Sequence, residues 1–283
     1  MHLSVVIVTY NNQKTITSCL KSVIAENPQQ VIVVDNASSD KTLNLVSEKF
    51  PSVDLIKNTS NLGYAKGNNI GISAALIHNP DYVLVLNPDT TLKPSVISKL
   101  VNCATSLNNE GVFGPKILNS QDKIWSIGGD LDKKRYSAKL IGLNTQDTNT
   151  KQTNECDFIS GTCMLLPKKM LDTSIRFFEP YFLYYEDVEF CQRLKKLGYP
   201  SICTTSAQIV HYESSSTSLA SIKNYYLARN HLLFVVRNAP FRVKLREGLR
   251  LPKTIWEHYR NKDFYGLKGI KDYLFAKFGK YAK

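Results

Sequence analysis

Four times in its first hundred residues the chain repeats one pattern: a short apolar stretch, a polar cluster, then apolar residues at helical spacing. Leu3–Thr9 reads as a strand, followed by Ile16, Cys19, Leu20, Val23 and Ile24 on one helix face. Val31–Val34 is the next strand, and Leu43, Val46 and Phe50 mark a helix with Ser39 as its cap. Val53–Ile56 is a short strand before a helix over Tyr64–Ile77. Tyr82–Leu86 is the fourth strand. Pro94 then opens a helix at a first-turn position, with Val96, Ile97, Leu100, Val101 and Ala104 on its apolar face. Strands alternating with helices through short links predict an α/β fold, a mostly parallel, Rossmann-like sheet covered on both sides.

From about Val112 the pattern becomes irregular. Val112–Leu118 is expected as a strand, Trp125 to Gly129 as a turn, and residues 142–156, which are polar, as a mobile loop. Ser160–Leu166 resumes as a strand. An aromatic run, Phe182-Leu183-Tyr184-Tyr185, then leads into Glu186-Asp187 at the start of a helix whose buried side is Val188, Cys191, Leu194 and Leu197, with Gly198 as its stop. Ser201–Thr204 and Gln208–Val210 are two short strands, the second ending at His211. Leu219 to Val236 is helical, and Pro240 and Pro252 punctuate the remaining C-terminal residues.

Each early strand ends in polar residues: Thr9-Tyr10-Asn11-Asn12, Asp35 to Asp40, Asn58 to Asn68, and Asn87-Pro88-Asp89. Parallel strands bring these clusters to one edge, where open α/β sheets bind ligands. The stretch Val83 to Thr90 is the sharpest case. A β-branched run stops at Pro88, which cannot donate to a sheet ladder, and leaves Asp89 where a ligand would sit. Asn-Pro and Asp-Thr also favour plain turns, so Asp89 alone decides nothing. The edge carries Lys66 as a cation but neither GxGxxG nor GxxxxGK[ST], which disfavours a dehydrogenase-type dinucleotide fold and a P-loop.

Composition narrows the setting. The 283 residues suffice for one large domain, or a domain with an appendage. Leu3 to Val8 is too short to span a bilayer and lacks the flanks of a signal peptide, so a cytoplasmic protein is expected. Cys19, Cys103, Cys156, Cys163, Cys191 and Cys203 form no CxxC and read as reduced thiols. The net charge is +12. From Phe241 to Lys283 twelve Lys and Arg face four Asp and Glu, so +8 of that excess is terminal. From Tyr265 onward Leu267, Ile270, Tyr273, Leu274 and Phe278 alternate with Lys268, Lys271, Lys277 and Lys280, a basic amphipathic pattern. Such a tail either docks on an anionic membrane or packs on the preceding domain with its lysines in water.

Asp89, Glu186-Asp187 and His211 all fall at polar ends of elements. One carboxylate and one imidazole can hold a divalent ion that also takes phosphate oxygens, and a second, metal-free carboxylate can serve as a general base. Acidic residues also open helices simply because they suit the dipole.

Together with these residues, Val5-Val6-Ile7-Val8-Thr9-Tyr10-Asn11, Val34-Asp35-Asn36-Ala37-Ser38-Ser39-Asp40, Asn61-Leu62-Gly63-Tyr64-Ala65-Lys66-Gly67-Asn68, Asn87-Pro88-Asp89 and Tyr226-Leu227-Ala228-Arg229-Asn230 run in an order that resembles the inverting family 2 glycosyltransferases of GT-A fold, in the subgroup that includes bacterial rhamnosyltransferases. The resemblance covers roughly residues 3–238 by motif matching. It implies a glycosyltransferase domain over 1–238, with a nucleotide-sugar half (1–110) and an acceptor half (111–238), and a basic helical extension over 239–283.

The same resemblance implies roles. Thr9, Tyr10, Asn11, Asp35 and Asn36 would hold the nucleoside, and Asn61, Gly63, Lys66, Asn87 and Arg229 would complete the donor pocket. Asn87-Pro88-Asp89 stands where the family's DxD motif falls. Its first acid is absent, which leaves Asp89 as the metal ligand, with His211 as a second, for Mg2+ or Mn2+. Asp187 matches the catalytic base, with Glu186 beside it. The donor would be dTDP-rhamnose or a UDP-hexose, and the acceptor a polysaccharide or lipid-linked glycan; the basic tail, apart from the resemblance, offers an anionic membrane surface as a further partner, and no nucleic acid is expected. A sugar-nucleotide nucleotidyltransferase shares the sheet, but Tyr10-Asn11-Asn12-Gln13 replaces the Gly-rich, Arg-containing loop it needs. A nucleic-acid-binding protein would explain the charge, but the basic excess lies away from the acidic sites.

Overall fold

The structure, a computed structural model, describes residues 1–148, 150–212 and 217–281, with only the backbone for 217–220. Asn149, inside the expected loop, and residues 282–283, at the end of the expected tail, lie outside them. Strand β1 (Leu3–Thr9) is buried along its whole length, as a central strand covered on both faces must be, and this favours its apolar, β-branched run Val5-Val6-Ile7-Val8. Helix α1 (Ile16–Ala25), β2 (Gln30–Asp35), α2 (Thr42–Lys49), β3 (Asp54–Lys57), α3 (Gly63–Leu76) and β4 (Tyr82–Leu86) complete the repeating half. Then come β5 (Thr90–Leu92), α4 (Val96–Ser106), β6 (Val112–Asn119), β7 (Ile124–Ser126), β8 (Gly129–Leu131), β9 (Ala138–Leu140), β10 (Thr153–Cys156) and β11 (Cys163–Pro167). The chain ends through α5 (Lys168–Leu171), a 3-10 turn at Glu179–Tyr181, α6 (Glu186–Lys196), β12 (Ser201–His211), α7 (Thr217–Asn238), α8 (Phe241–Arg260) and α9 (Phe264–Leu274).

Among the described residues the main sheet runs β10-β12-β6-β11-β4-β1-β2-β3, with β5 added beside β12 and β7 beside β6. Strands β1, β2, β3 and β4 are parallel, while β11 lies antiparallel to both β4 and β6. Alternate residues of β1 face opposite cores. Leu3, Val5 and Ile7 pack with α1 and α4, and Val6 and Val8 with α3. Helix α3 lies close on β1 because Gly67 and Gly71 face it. A Cβ on Gly71 would stand 2.2 Å from Val6 Cγ1. The strand order reverses between β1 and β4, so the crevice beyond their carboxyl ends is the expected ligand position.

Several local expectations are corrected. Residues 142–156 are not all loop, because Thr153–Cys156 pairs with β12. This strand is at the sheet's edge with its first three side chains exposed, so its polar sequence carries no strand signature. Ile124–Ser126 and Gly129–Leu131 are short strands rather than one turn. The two strands expected after Gly198 are one, β12, kinked between Thr204 and Gln208 where the register shifts. Ser39 does not cap α2. Its backbone N–H donates to Asn11 Oδ1 (2.8 Å), while Asp40 Oδ1 accepts from the Thr42 N–H (2.9 Å). Leu197, at the frayed end of α6, is exposed. Pro252 sits inside α8, opposite a position four residues back that is Gly248, which has open space around it. No helix among the described residues is long and apolar enough to cross a membrane.

Candidate active site

Pairing of β5 with β12 sets His211 opposite Thr90, and this register brings Asp89 beside the imidazole. Asp89 Oδ1 lies 3.3 Å from His211 Nε2. The Tyr212 N–H donates to the Asp89 carbonyl (2.8 Å), closing the strand end around the pair. Trp125 stands edge-on to the imidazole, with ring centroids 4.8 Å apart. His211 Nδ1 and Asn87 Oδ1 are buried without a hydrogen-bond partner, and Asp89 Oδ1 has only the imidazole beside it. Buried polar atoms are rarely left so unless they serve a ligand or an ion.

The same cleft, about 640 Å³, is walled by Asn87, Asp89 and His211 and by Glu186 and Asp187. The acidic pair opens α6 after a stretch of unusual backbone. Phe182, Tyr184 and Tyr185 all take left-handed conformations, with φ of 65°, 66° and 73°. Bulky residues adopt such values only where surrounding contacts enforce them. Two residues of α7 supply those contacts. Asn230 Nδ2 donates to the carbonyls of Tyr181 (3.0 Å), Leu183 (2.8 Å) and Tyr184 (2.8 Å). Arg229 donates to the carbonyls of Tyr181 (2.9 Å) and Pro180 (3.3 Å), and to that of Gly279 in the C-terminal segment (2.7 Å). Tyr225 and Tyr226 lie under its guanidinium, and Phe182 stacks on Tyr226.

Arg229 was expected in the donor pocket. It is instead completely buried, its donors taken up by backbone carbonyls, so it shapes the turn ahead of Asp187 and has no surface to offer a nucleotide.

Asp187 accepts backbone N–H bonds on both oxygens, from Gly161 to Oδ2 (2.8 Å) and Val188 to Oδ1 (2.8 Å). The Tyr64 hydroxyl donates to the Gly161 carbonyl (2.5 Å), tying the loop that carries that N–H to α3. Burial pushes the Asp187 carboxyl above its ordinary value, and these two N–H bonds offset part of the rise. Glu186 is pushed far higher, by burial first and by the charge of Asp187 second, and its Oε2 has no partner. Burial thus pushes both carboxyls towards their neutral forms, Glu186 the harder, while the two N–H bonds favour the charge on Asp187.

The residues expected to hold the nucleoside gather at the carboxyl ends of β1 and β2 and the start of α3, and they are not walls of this cleft. Tyr10 is exposed, and Thr9 is buried with its hydroxyl on Asn12 Oδ1 (3.1 Å). Asn11 bridges to the next loop through Ser38 and Ser39. Asp35 accepts the Ser38 N–H on Oδ2 and leaves Oδ1 buried and unpartnered. Asn36 is fully engaged, donating to the Gly63 carbonyl (3.0 Å) and accepting from Asn58 Nδ2 (2.9 Å), so it anchors the start of α3. Asn61 Oδ1 accepts the Gly63 N–H, and Lys66 pairs with Glu179 at 3.6 Å.

Trp125 and Lys223 carry no signal in the sequence, and Leu227 figures there only inside the Tyr226–Asn230 motif. Trp125 reads there as a turn residue. Lys223, whose ammonium lies 5.8 Å from the Tyr184 ring centroid, and Leu227 come from α7, more than a hundred residues away in sequence from Asp89. Among the described residues no cluster of three or more His, Cys, Asp and Glu could hold a metal by itself. A carboxylate oxygen and an imidazole nitrogen 3.3 Å apart can share one ion. Such a pair fits a divalent cation whose remaining positions are filled by ligand oxygens and water, as Mg2+ and its relatives prefer.

Comparison with known proteins gives the family and the fold. The profile of Glycosyl transferase family 2 matches residues 4–174, more than half of the chain. The chain is 27% identical over 237 residues to the N-acetylglucosaminyl-diphospho-decaprenol L-rhamnosyltransferase of Mycobacterium tuberculosis, covering 76% of this chain and 77% of that one. It is 28% identical over 246 residues to the low-salt glycan biosynthesis hexosyltransferase Agl10 of Haloferax volcanii, covering 81% and 76%. It is 25% identical over 260 residues to the dTDP-rhamnosyl transferase RfbF of Shigella flexneri, covering 86% and 83%. GalNAc-T7 with UDP, GalNAc and Mn2+ superposes with a TM-score of 0.63 at 15% identity over 82% of this chain, which spans about half (51%) of that one. S. aureus TarS 1-349 in complex with UDP-GlcNAc superposes with a TM-score of 0.55 at 18% identity, covering 92% and 73%. At these identities the structural likeness speaks for the fold. The chain belongs to glycosyl transferase family 2 and is a glycosyltransferase of GT-A fold.

Proposed function

We propose that the chain moves a sugar from a nucleotide-sugar, dTDP-rhamnose or a UDP-hexose, to a hydroxyl of a polysaccharide or lipid-linked glycan, with inversion at the anomeric carbon. One observation carries this reading. The Asp89–His211 pair and the Glu186–Asp187 pair share the walls of a single cleft at the carboxyl end of β4. The relatives' own names point to rhamnosyl and hexosyl transfer.

Asp89 and His211 would hold Mg2+ or Mn2+, which when bound supplies positive charge to a diphosphate leaving group. The chain's own residues do the rest. Thr9, Tyr10, Asn11 and Asp35 hold the nucleoside at the β1–β2 edge and so fix the sugar relative to Asp187. The two N–H bonds on Asp187 orient its carboxylate and favour its charged form, while Glu186, with no such donors on Oε2, is pushed the further towards its neutral form. Asp187 takes the acceptor hydroxyl's proton as that oxygen attacks the face opposite the leaving group. Trp125, Leu183 and Tyr184 form apolar walls against which a sugar ring can stack and which reduce access of water.

The test is incubation of the protein with dTDP-rhamnose and with UDP-hexoses, with and without a glycan acceptor, following release of the nucleoside diphosphate. Acceptor-stimulated release that is lost with a chelator and in Asp187→Asn supports the reading. Release unaffected by both would overturn the assignment of these residues, and pyrophosphate-dependent nucleotide exchange would replace transfer with nucleotidyl chemistry.

A further inference from the structure

Helix α8 carries an outward face that none of the described residues covers. Phe241 (77% exposed), Leu245 (54%), Leu249 (76%), Trp256 (54%) and Tyr259 (67%) stand in solvent. At 100° per residue these five, with Pro252 among them, fall within about 80° of the helix surface, one continuous apolar ridge along its length. Single exposed apolar residues are ordinary, but a ridge of five is not. Cations border it. Arg242, Arg246, Lys253 and Arg260 follow next around the helix, within about 60° of the ridge's edge. The two acids of α8 are withdrawn: Glu247 is buried against Arg135 at 3.3 Å, and Glu257 is paired with Arg250 at 2.9 Å. The exposed face therefore combines apolar bulk, aromatic rings at one end, and uncompensated positive charge.

The terminal tail also exposes Phe264, Leu274 and Phe275, but its helix is held down on its other side. Helix α9 turns Gly266, Gly269 and Ile270 inward, a Cβ on Gly269 would meet the Tyr225 carbonyl at 2.3 Å, and Tyr225 donates to Asp272 (2.8 Å). That half of the basic extension is packed onto α7.

We propose that the α8 ridge seats the protein on an anionic lipid surface. A second protein surface would have to present an apolar groove bordered by a row of acids to match both the ridge and the flanking cations. Anionic headgroups supply partners for those cations beside the hydrocarbon that takes Phe241, Leu245 and Leu249. Trp256 and Tyr259 suit the headgroup level, where an aromatic ring is buried and its polar tip stays wet. None of these residues lines the cleft, so the surface stands independently of the sugar-transfer reading.

The test uses the whole chain and vesicles of phosphatidylcholine alone or mixed with phosphatidylglycerol. The protein should co-sediment with the mixed vesicles only, less as salt rises, and Trp256 emission should shift to the blue, a shift absent from Trp256→Phe. The pairs Leu245→Glu/Leu249→Glu and Arg242→Glu/Lys253→Glu should each weaken binding by about tenfold or more with unchanged thermal melting. Phe275→Ser, in the tail, should bind as the parent does. Should the apolar pair fail to fold, the charge pair, which removes no packing, carries the test alone. No binding to anionic vesicles overturns the proposal. So does binding that survives the α8 variants but is lost with Phe275→Ser. Concentration-dependent self-association that Leu245→Glu/Leu249→Glu abolishes, with vesicles ignored, would make the ridge an interface between copies instead.

Discussion

Asp89 and Asp187 line one cleft but are held there by different kinds of structure. Asp89 follows a buried parallel strand directly, and the register of β5 on β12 brings His211 to it. Its position is a product of the sheet. Asp187 follows three left-handed aromatic residues, and that backbone is stable only because Arg229 and Asn230, on a helix more than forty residues further along, occupy its carbonyls. A strand-end carboxylate stays in place as long as the sheet does. A carboxylate on an enforced turn depends on a few buried polar contacts, and it should be both easier to dislodge and easier to tune.

The largest expected effect lies in that clamp. Arg229→Ala should lower stability by about 3 kcal/mol or more, because buried carbonyls lose a charged donor, and Arg229→Lys should recover little since one ammonium cannot reach three carbonyl directions. Urea unfolding measures it. Equal stability of Arg229→Ala and the parent would mean that the turn holds itself.

Asp187→Asn tests the far end of the same region. It should cut turnover by about 10²-fold or more with nucleotide affinity nearly unchanged. Near-normal turnover would move the role to Glu186. Asp89→Ala and His211→Ala sharpen the other side of the comparison. Each should leave the melting temperature close to the parent's while weakening metal-dependent nucleotide binding by about tenfold. Calorimetry with and without chelator reads this. Binding indifferent to chelator would remove the ion from the strand-end site.

The smallest effect concerns pH. Glu186 holds its proton more tightly in the folded chain than in the unfolded one, where its carboxyl titrates near the ordinary 4.5. The folded state therefore binds more protons above that pH, and stability falls as pH rises from there towards the folded pKa. Glu186→Gln cannot ionise and escapes this loss. Its melting temperature relative to the parent should climb as the pH rises above the ordinary carboxyl value of 4.5. A constant difference would mean that Glu186 is not neutral in the folded protein.

The strand-end half of the site was legible in the sequence because parallel strands put every polar terminus at one edge, whatever the helices do between them. Asn87-Pro88-Asp89 and His211 could thus be singled out before their contact was known. The clamp half was legible only as motifs. Glu186-Asp187 announced a helix start, but nothing near Arg229-Asn230 indicated that these side chains face inward to backbone carbonyls rather than outward to a ligand. Lys223 and Trp125 were invisible for the same reason, since their place in the cleft depends on how α7 and β7 pack.

The terminal helices divide in the same way. Charge and aromatic content marked the whole segment after Phe241 as basic and amphipathic. Only packing separated α9, with its glycines against α7, from α8, whose ridge is left bare. Periodicity and turn chemistry are local, so the sequence by itself determined the α/β alternation, the buried strands and the polar edge. Which polar side chains face solvent, ligand or buried carbonyl depends on distant segments meeting, and that was decided by the tertiary structure, through the need to pair every buried donor and acceptor.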